Sequence, residues 1–237
     1  AIDKARGIAI TASNLPWAQT DICTPLQKQF GLAVFLENDA NAAALGEYYF
    51  GCAKGTKTFV FISLGTGIGG GIILNGELLC DQGQAEVGHI VVDWSGPDCR
   101  CGDRGCIEAI ASGLALGNAF RRLTGSQNQT IDGKYVLRAA AEGDEVAFNI
   151  VTRAARAIAQ GIVALERVLS PELFVMGGGL MNMGEFLLPL IRREIEDIGS
   201  AAAPISNRVV PSKLVESAGE YGAACLAMRE LRHERRS

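Results

Sequence analysis

The sequence predicts an α/β protein. Two patterns carry the prediction: short runs of continuous apolar residues, as in strands covered on both faces, and Ala-rich or amphipathic helical stretches that alternate with them. Residues 7–12 (GIAITA) read as a first short strand, and the turn-forming residues 14–17 follow it. Residues 24–30 read as a helix with Pro25 at its first position. Residues 33–36 (AVFL) form a continuous apolar run, expected as a strand buried on both faces, which ends at Glu37-Asn38-Asp39. An Ala-rich helix is expected over 40–50. Residues 58–63 (TFVFIS) are a second buried strand, 65–71 a glycine-rich turn, and 71–74 a returning strand, which together make a β-hairpin. Residues 80–106 are irregular and rich in Gly, Asp and Cys, and so long a loop is expected to be functional or cross-linked. Residues 152–169 read as a long helix with Ala155, Ile158, Ile162, Leu165 and Leu169 on one face. A strand at 172–176, a turn at Gly177-Gly178-Gly179, a helix at 185–198 and a last helix at about 219–230 complete the alternation.

At 237 residues, 48% hydrophobic and 20% charged, the chain can bury a sizeable core as one large domain or two small ones. A net charge of -4 makes it a poor nucleic-acid binder. No apolar run reaches the roughly 20 residues that span a bilayer. Residues 1–7 carry Asp3, Lys4 and Arg6 with no apolar core of a signal peptide, so the expected compartment is the cytoplasm. The first residue is Ala1, and the chain opens as if in mid-domain, so a preceding segment is expected. Three of the seven cysteines crowd into eight residues, whereas Cys23, Cys52, Cys80 and Cys225 are scattered and expected to be small buried hydrophobes.

In a reducing compartment the cluster points to a metal. His89-x9-Cys99-x-Cys101-x4-Cys106 offers three thiolates and one imidazole, a closed four-ligand set suited to structural tetrahedral zinc. Gly102 and Gly105 would let the backbone fold back so that the sulfurs converge. The alternative is three buried thiols and an unrelated histidine. The run Gly65-Thr66-Gly67-Ile68-Gly69-Gly70-Gly71 lets backbone N–H groups approach phosphate oxygens, with the Thr66 hydroxyl as a further donor. It matches neither a Walker A loop nor a dinucleotide turn, since a second strand follows it, and a plain tight hairpin is equally compatible. Gly177-Gly178-Gly179 reads in the same two ways. Asp39 lies just past a strand's carboxyl end, where ligands bind in open α/β sheets. There its carboxylate can take a proton from a hydroxyl, or it is simply the N-cap of the next helix. Asn38 beside it suits hydroxyl groups. Glu86 and Glu108 are tethered to the Cys/His loop, and each taken singly also reads as a solvated charge.

In order and spacing, Glu37-Asn38-Asp39-Ala40-Asn41-Ala42-Ala43-Ala44-Leu45-Gly46-Glu47, the glycine run, Ala85-Glu86-Val87-Gly88-His89 and Cys99-Arg100-Cys101-Gly102-Asp103-Arg104-Gly105-Cys106-Ile107-Glu108 resemble the ROK (repressor, open reading frame, kinase) family. The resemblance covers essentially the whole chain, including Ser170-Pro171-Glu172 and Gly177-Gly178-Gly179. It implies an actin-like ATPase (ribonuclease H-like) fold, with two α/β domains flanking a cleft and the small domain incomplete. Residues 1–55, joined by the helix at about 219–235, would be a remnant of the small domain, and 56–218 the large domain with its zinc loop. The resemblance further implies that Asp39 is the catalytic base of an ATP-dependent hexose kinase. Asn38, Glu86, His89 and Glu108 would bind the other sugar hydroxyls. Gly65, Thr66, Gly67 and Gly69 would lie against the phosphates of ATP with Mg2+, and Gly177, Gly178 and Gly179 near the nucleoside. His89 would give one ring nitrogen to zinc and the other to sugar.

Family kinases open with an Asp-x-Gly-Gly-Thr-type phosphate loop that is not found in residues 1–7. Two readings follow by resemblance: a glucokinase, or a sugar-responsive repressor whose DNA-binding domain precedes Ala1. The intact Asn38-Asp39 and glycine run favour the kinase. Glucose is the favoured acceptor, with N-acetylmannosamine as the alternative, because epimers differ by only a contact or two. A homodimer or higher homo-oligomer is implied as well.

Overall fold

The computed structural model describes residues 1–11, 16–79, 85–199 and 205–234. The chain begins with a small antiparallel sheet of β1 (Ile2–Asp3), β2 (Ile8–Thr11) and β3 (Ala18–Asp21), followed by α1 (Cys23–Phe30). After a stretch without strand or helix comes α2 (Asp39–Tyr49), then the meander β4 (Phe59–Leu64), β5 (Ile68–Leu74) and β6 (Glu77–Leu78). The Cys/His loop leads into α3 (Ile107–Ala111), α4 (Gly113–Thr124), α5 (Gly133–Ala141) and the long α6 (Glu145–Leu169). β7 (Leu173–Gly177), α7 (Gly184–Ile198), β8 (Val209–Pro211) and α8 (Ala218–Glu234) complete it. The large sheet has the order β6-β5-β4-β7-β8. β4 runs antiparallel to β5 and parallel to β7, and β8 runs parallel to β7.

The apolar run of β4 is continuous because both its faces are covered. Val60, Ile62 and Leu64 join Phe174, Met176 and the apolar faces of α3–α7 in one core. Phe59, Phe61, Val175 and Ile73 face α2 and the start of α8 in a second core. The period-two alternation of strand side chains sorts the same strand into two packing layers. On the second face α2 and α8 cross very closely. A Cβ on Gly46 would stand 2.2 Å from the Ala218 carbonyl oxygen, and one on Gly222 would stand 1.6 Å from that of Ala42. Gly222→Ala is therefore expected to force the helices apart and destabilise by about 1–3 kcal/mol. Thermal melting reads this as a loss of several degrees, and an unchanged midpoint would contradict the close crossing.

Several elements differ from the sequence reading. Residues 33–36 form no strand, none of them is fully buried, and no strand among the described residues pairs with them. Leu32 beside them is 69% exposed. An apolar run marks a segment able to be a strand, but only a ladder partner makes it one. α1 begins at Cys23, which puts Pro25 third, still within the first turn where its missing N–H costs nothing. β5 begins at Ile68, so Gly69, Gly70 and Gly71 are strand residues and the turn is only Gly65-Thr66-Gly67. α6 starts seven residues before the expected 152, at Glu145, with the Asp144 side chain accepting from Ala147 N–H at 2.8 Å. The sequence reading contains no helix at α3–α5, although Ser112 caps α4, accepting from Ala115 N–H at 3.2 Å, and Asp132 caps α5, accepting from Tyr135 N–H at 2.8 Å. The expected turn at 14–17 falls partly outside the described residues, as does Cys80. Cys23 and Cys225 are buried as expected, whereas Cys52 is half-buried with its thiol 3.2 Å from the Glu47 carboxylate. Burial, then the Glu47 carboxylate, push that thiol up to about 12, which makes it unreactive.

Candidate active site and metal centre

The predicted site residues gather around the first residues of β5, and glycine is what admits them. A Cβ on Gly69 would meet Ala40 Cβ at 3.1 Å, and one on Gly71 would meet the Ala40 carbonyl oxygen at 2.6 Å, so α2 lies directly on that face. On the opposite face a Cβ on Gly70 would stand 2.3 Å from Val87. Gly88 in turn packs on the Ile68 carbonyl, where a Cβ would come within 2.2 Å. Alternate glycines of one strand thus receive the helix of Asp39 on one side and the Glu86–His89 segment on the other. Glu108, at the start of α3, completes the group: its Oε2 accepts from Ile68 N–H at 2.9 Å and stands 2.6 Å from where a Gly67 Cβ would be.

Local structure sharpens the roles of Asn38 and Asp39. Asn38 is the N-cap of α2, its side-chain oxygen accepting from Ala40 N–H at 2.9 Å and Asn41 N–H at 3.2 Å. The capping role therefore falls to Asn38. Asp39 is the exposed first residue of the helix, with Oδ1 accepting from Ala40 N–H at 2.8 Å, which leaves Oδ2 for a ligand. Just ahead, the Glu37 side chain is only 3% exposed and lies 2.6 Å from Lys4 Nζ. Its Oε1 accepts from Asn38 N–H at 2.9 Å and from Asn41 Nδ2 at 3.1 Å. Sequence reasoning missed this pairing because Lys4 and Glu37 lie far apart in the chain and share no motif.

The cluster of His89, Cys99, Cys101 and Cys106 brings its ligand atoms within 4.8 Å of one another. Metal–sulfur bonds of about 2.3 Å and metal–nitrogen bonds of about 2.0–2.1 Å at tetrahedral angles place sulfurs about 3.8 Å apart and sulfur and nitrogen about 3.5 Å apart. Here Cys101 Sγ and Cys106 Sγ are 3.7 Å apart, and Cys99 Sγ and His89 Nδ1 are 3.5 Å apart. The residues present fit a tetrahedral site of three sulfurs and one nitrogen. Burial and the two neighbouring thiols push Cys106 up to about 12, so three thiolates at this spacing need a cation to be stable together. Gly102 (φ +104°) and Gly105 (φ +72°) make the reversals in the left-handed region. A Cβ on Gly105 would also strike the Asp93 carbonyl oxygen at 1.6 Å. Arg104 pairs with Asp98 at 2.7 Å within the loop, and Arg153 of α6 pairs with Asp93 at 3.1 Å, which ties the loop to the helices of the large core. With Nδ1 turned to the sulfurs, His89 Nε2 faces Glu86 Oε2 at 3.7 Å.

The two glycine turns lie side by side at the carboxyl ends of the parallel strands β4 and β7. Gly178 has φ +86°, and a Cβ there would stand 2.5 Å from the carbonyl oxygen of Leu64, the residue before Gly65. Gly113, at the N-terminus of α4, donates its N–H to the Gly65 carbonyl at 2.8 Å. A cavity of about 140 Å³ opens between the first turn and the Cys/His loop, lined among others by Thr66, Gly67, Arg100, Glu108, Ser112 and Asn118. Carboxyl ends of parallel strands with open backbone turns are where phosphate-bearing ligands bind. A carboxylate with one committed oxygen at the adjoining helix start can serve as a proton acceptor.

This chain is similar to known proteins in sequence and in fold. It is 39% identical to a glucokinase of Thermotoga maritima over 95% of this chain and 75% of that protein. It is 32% identical to a putative xylose repressor of a Caldicellulosiruptor species, over 96% of this chain and 59% of the repressor. Among solved structures, a glucokinase of Streptomyces griseus, crystallised with glucose and AMPPNP, superposes with a TM-score of 0.83 at 35% identity, covering 96% of this chain and 78% of that one. The α/β architecture is that of the actin-like ATPases. The ROK family description matches residues 1–230, a span that includes the glycine hairpin, the capped Asp39 helix and the Cys/His loop, and the chain belongs to the ROK family.

Proposed function

We propose that this chain works as an ATP-dependent hexose kinase, with glucose the favoured acceptor. The observation that carries the reading is the convergence of Asp39, the Glu86–His89 segment and Glu108 on the start of β5, beside two glycine turns at the carboxyl ends of β4 and β7. The similarity to glucokinases over most of the chain supports it. Asn38, Glu86, His89 and Glu108 hold the hexose by its hydroxyls, so that the reacting hydroxyl faces Asp39. Asp39 accepts that hydroxyl's proton as its oxygen bonds to the γ-phosphorus, and the bond from phosphorus to the bridging oxygen of ADP breaks. Gly65, Thr66, Gly67 and Gly69 line the phosphate side and Gly177, Gly178 and Gly179 the nucleoside side. The Mg2+ that accompanies ATP would neutralise developing phosphate charge. His89, Cys99, Cys101 and Cys106 would hold a structural zinc, which would fix the ring of His89 and the loop from Glu86 to Glu108.

The similarity to xylose repressors sustains a second reading, a sugar-responsive regulator that binds hexose without turning it over. An ADP-release assay over glucose, mannose and N-acetylmannosamine with ATP and Mg2+ separates the two. Hexose-dependent ADP formation, strongest with glucose, is the expected result. Hexose binding by calorimetry with no ADP formed would favour the regulator.

A further inference from the structure

We infer that Lys4 and Glu37 are a positioning pair for the helix that carries Asp39, an inference that rests on Asp39 acting as the base. Glu37 is a nearly buried carboxylate whose two oxygens have separate tasks. Oε2 meets Lys4 Nζ at 2.6 Å, and Lys4 lies in the turn between β1 and β2 of the small sheet. Oε1 accepts from Asn38 N–H at 2.9 Å and from the side-chain amide of Asn41 at 3.1 Å. These two donors bracket Asp39, one just before it and one half a turn after it. Asn41 is 1% exposed, so its amide has little room to choose another geometry. The backbone that presents Asp39 is therefore held through Glu37, and the nearly buried Glu37 carboxylate has the Lys4 ammonium as its ionic partner.

The pair also joins two parts of the chain that the strand ladders leave separate. The small sheet and the large sheet share no strand pairing among the described residues. Lys4 thus lets the position of the small sheet bear on the start of α2. Without the cation, Glu37 would be left buried beside no ionic partner from the small sheet, and its repacking toward water would loosen the bracket on Asp39. A shift of about 1 Å at a reacting group costs on the order of a hundredfold in rate without touching the substrate's own contacts.

Steady-state kinetics and amide exchange on the full chain test this. Lys4→Met is expected to lower kcat about tenfold and Glu37→Ala about a hundredfold, while the KM for glucose moves less than about threefold. Lys4→Arg keeps a cation and is expected to restore kcat to within about threefold of the parent. Hydrogen–deuterium exchange followed by mass spectrometry should show the amides of residues 38–42 exchanging at least about tenfold faster in Lys4→Met, with β4 and β5 unchanged. Parental kcat in Lys4→Met, or a loss of kcat that Lys4→Arg does not recover, would overturn the pairing. So would unaltered exchange at 38–42. A parent chain that makes no ADP would sink the kinase reading instead, and the exchange result would still decide whether Lys4 holds the start of α2.

Discussion

Asp39→Asn is expected to lower kcat about a thousandfold, within the range that a positioned general base contributes, and to leave glucose affinity within about threefold. The structure makes this substitution unusually clean. Asn38, not Asp39, caps α2, so the helix keeps its start. An asparagine at 39 can still accept from Ala40 N–H through its amide oxygen, as Asp39 Oδ1 does at 2.8 Å. What disappears is the second carboxylate oxygen's capacity to take a proton. Glu86, His89 and Glu108 sit on other segments, so the sugar contacts proposed for them would be kept. ADP release measures the rate, and calorimetry with glucose in the absence of ATP measures the affinity. Turnover above about a tenth of the parent would refute the base assignment. Loss of glucose binding alongside turnover would instead show Asp39 to be chiefly a binding group.

How legible this site was depends on whether its determinants are local. The strand of β4 could be read directly, because six consecutive residues with two covered faces leave an apolar run. The Cys/His set could be read because soft ligands at close spacing have few other uses. The glycines were legible as unusual, but their reason was not. Only the packing shows that Gly69 and Gly71 make room for α2 and Gly70 for Val87, a task of a strand rather than of a turn. Residues 33–36 failed for the converse reason: their pattern is strand-like, but no strand among the described residues takes up their ladder. Between Asn38 and Asp39, both good capping residues, sequence could not say which one caps, since the choice turns on a one-residue difference in where α2 begins. The tie from Lys4 to Glu37 bridges the small sheet to α2 and leaves no periodic trace at all.

Cys101→Ser is expected to remove the metal and, with it, at least about nine-tenths of the hexose affinity. A serine hydroxyl does not ionise near neutral pH, so one of three anionic ligands is lost from a site whose binding free energy in small structural domains is about 10–16 kcal/mol. The two remaining thiols and the imidazole leave the tetrahedral set one ligand short. The consequence passes to sugar through His89. Its Nδ1 faces the sulfurs and its Nε2 faces Glu86 at 3.7 Å, so an unliganded ring is free to turn and takes the geometry of Glu86 with it. Metal analysis should find about one zinc per chain in the parent and less than about a fifth of that in the variant. Cys52→Ser serves as the control, since Cys52 bonds to Glu47 and the Pro211 carbonyl and lies outside the cluster. That variant should keep its zinc and its glucose affinity. Chelation of the parent followed by zinc replacement should abolish and then restore binding. If Cys101→Ser still carried one zinc and bound glucose normally, the fourth ligand would have to be another group. If it lost zinc yet bound glucose normally, the loop's backbone hydrogen bonds, the Arg153–Asp93 pair and the bond from Ile68 N–H to Glu108 would suffice to place Glu86 and Glu108, and the metal would be a stability element with no part in the sugar site.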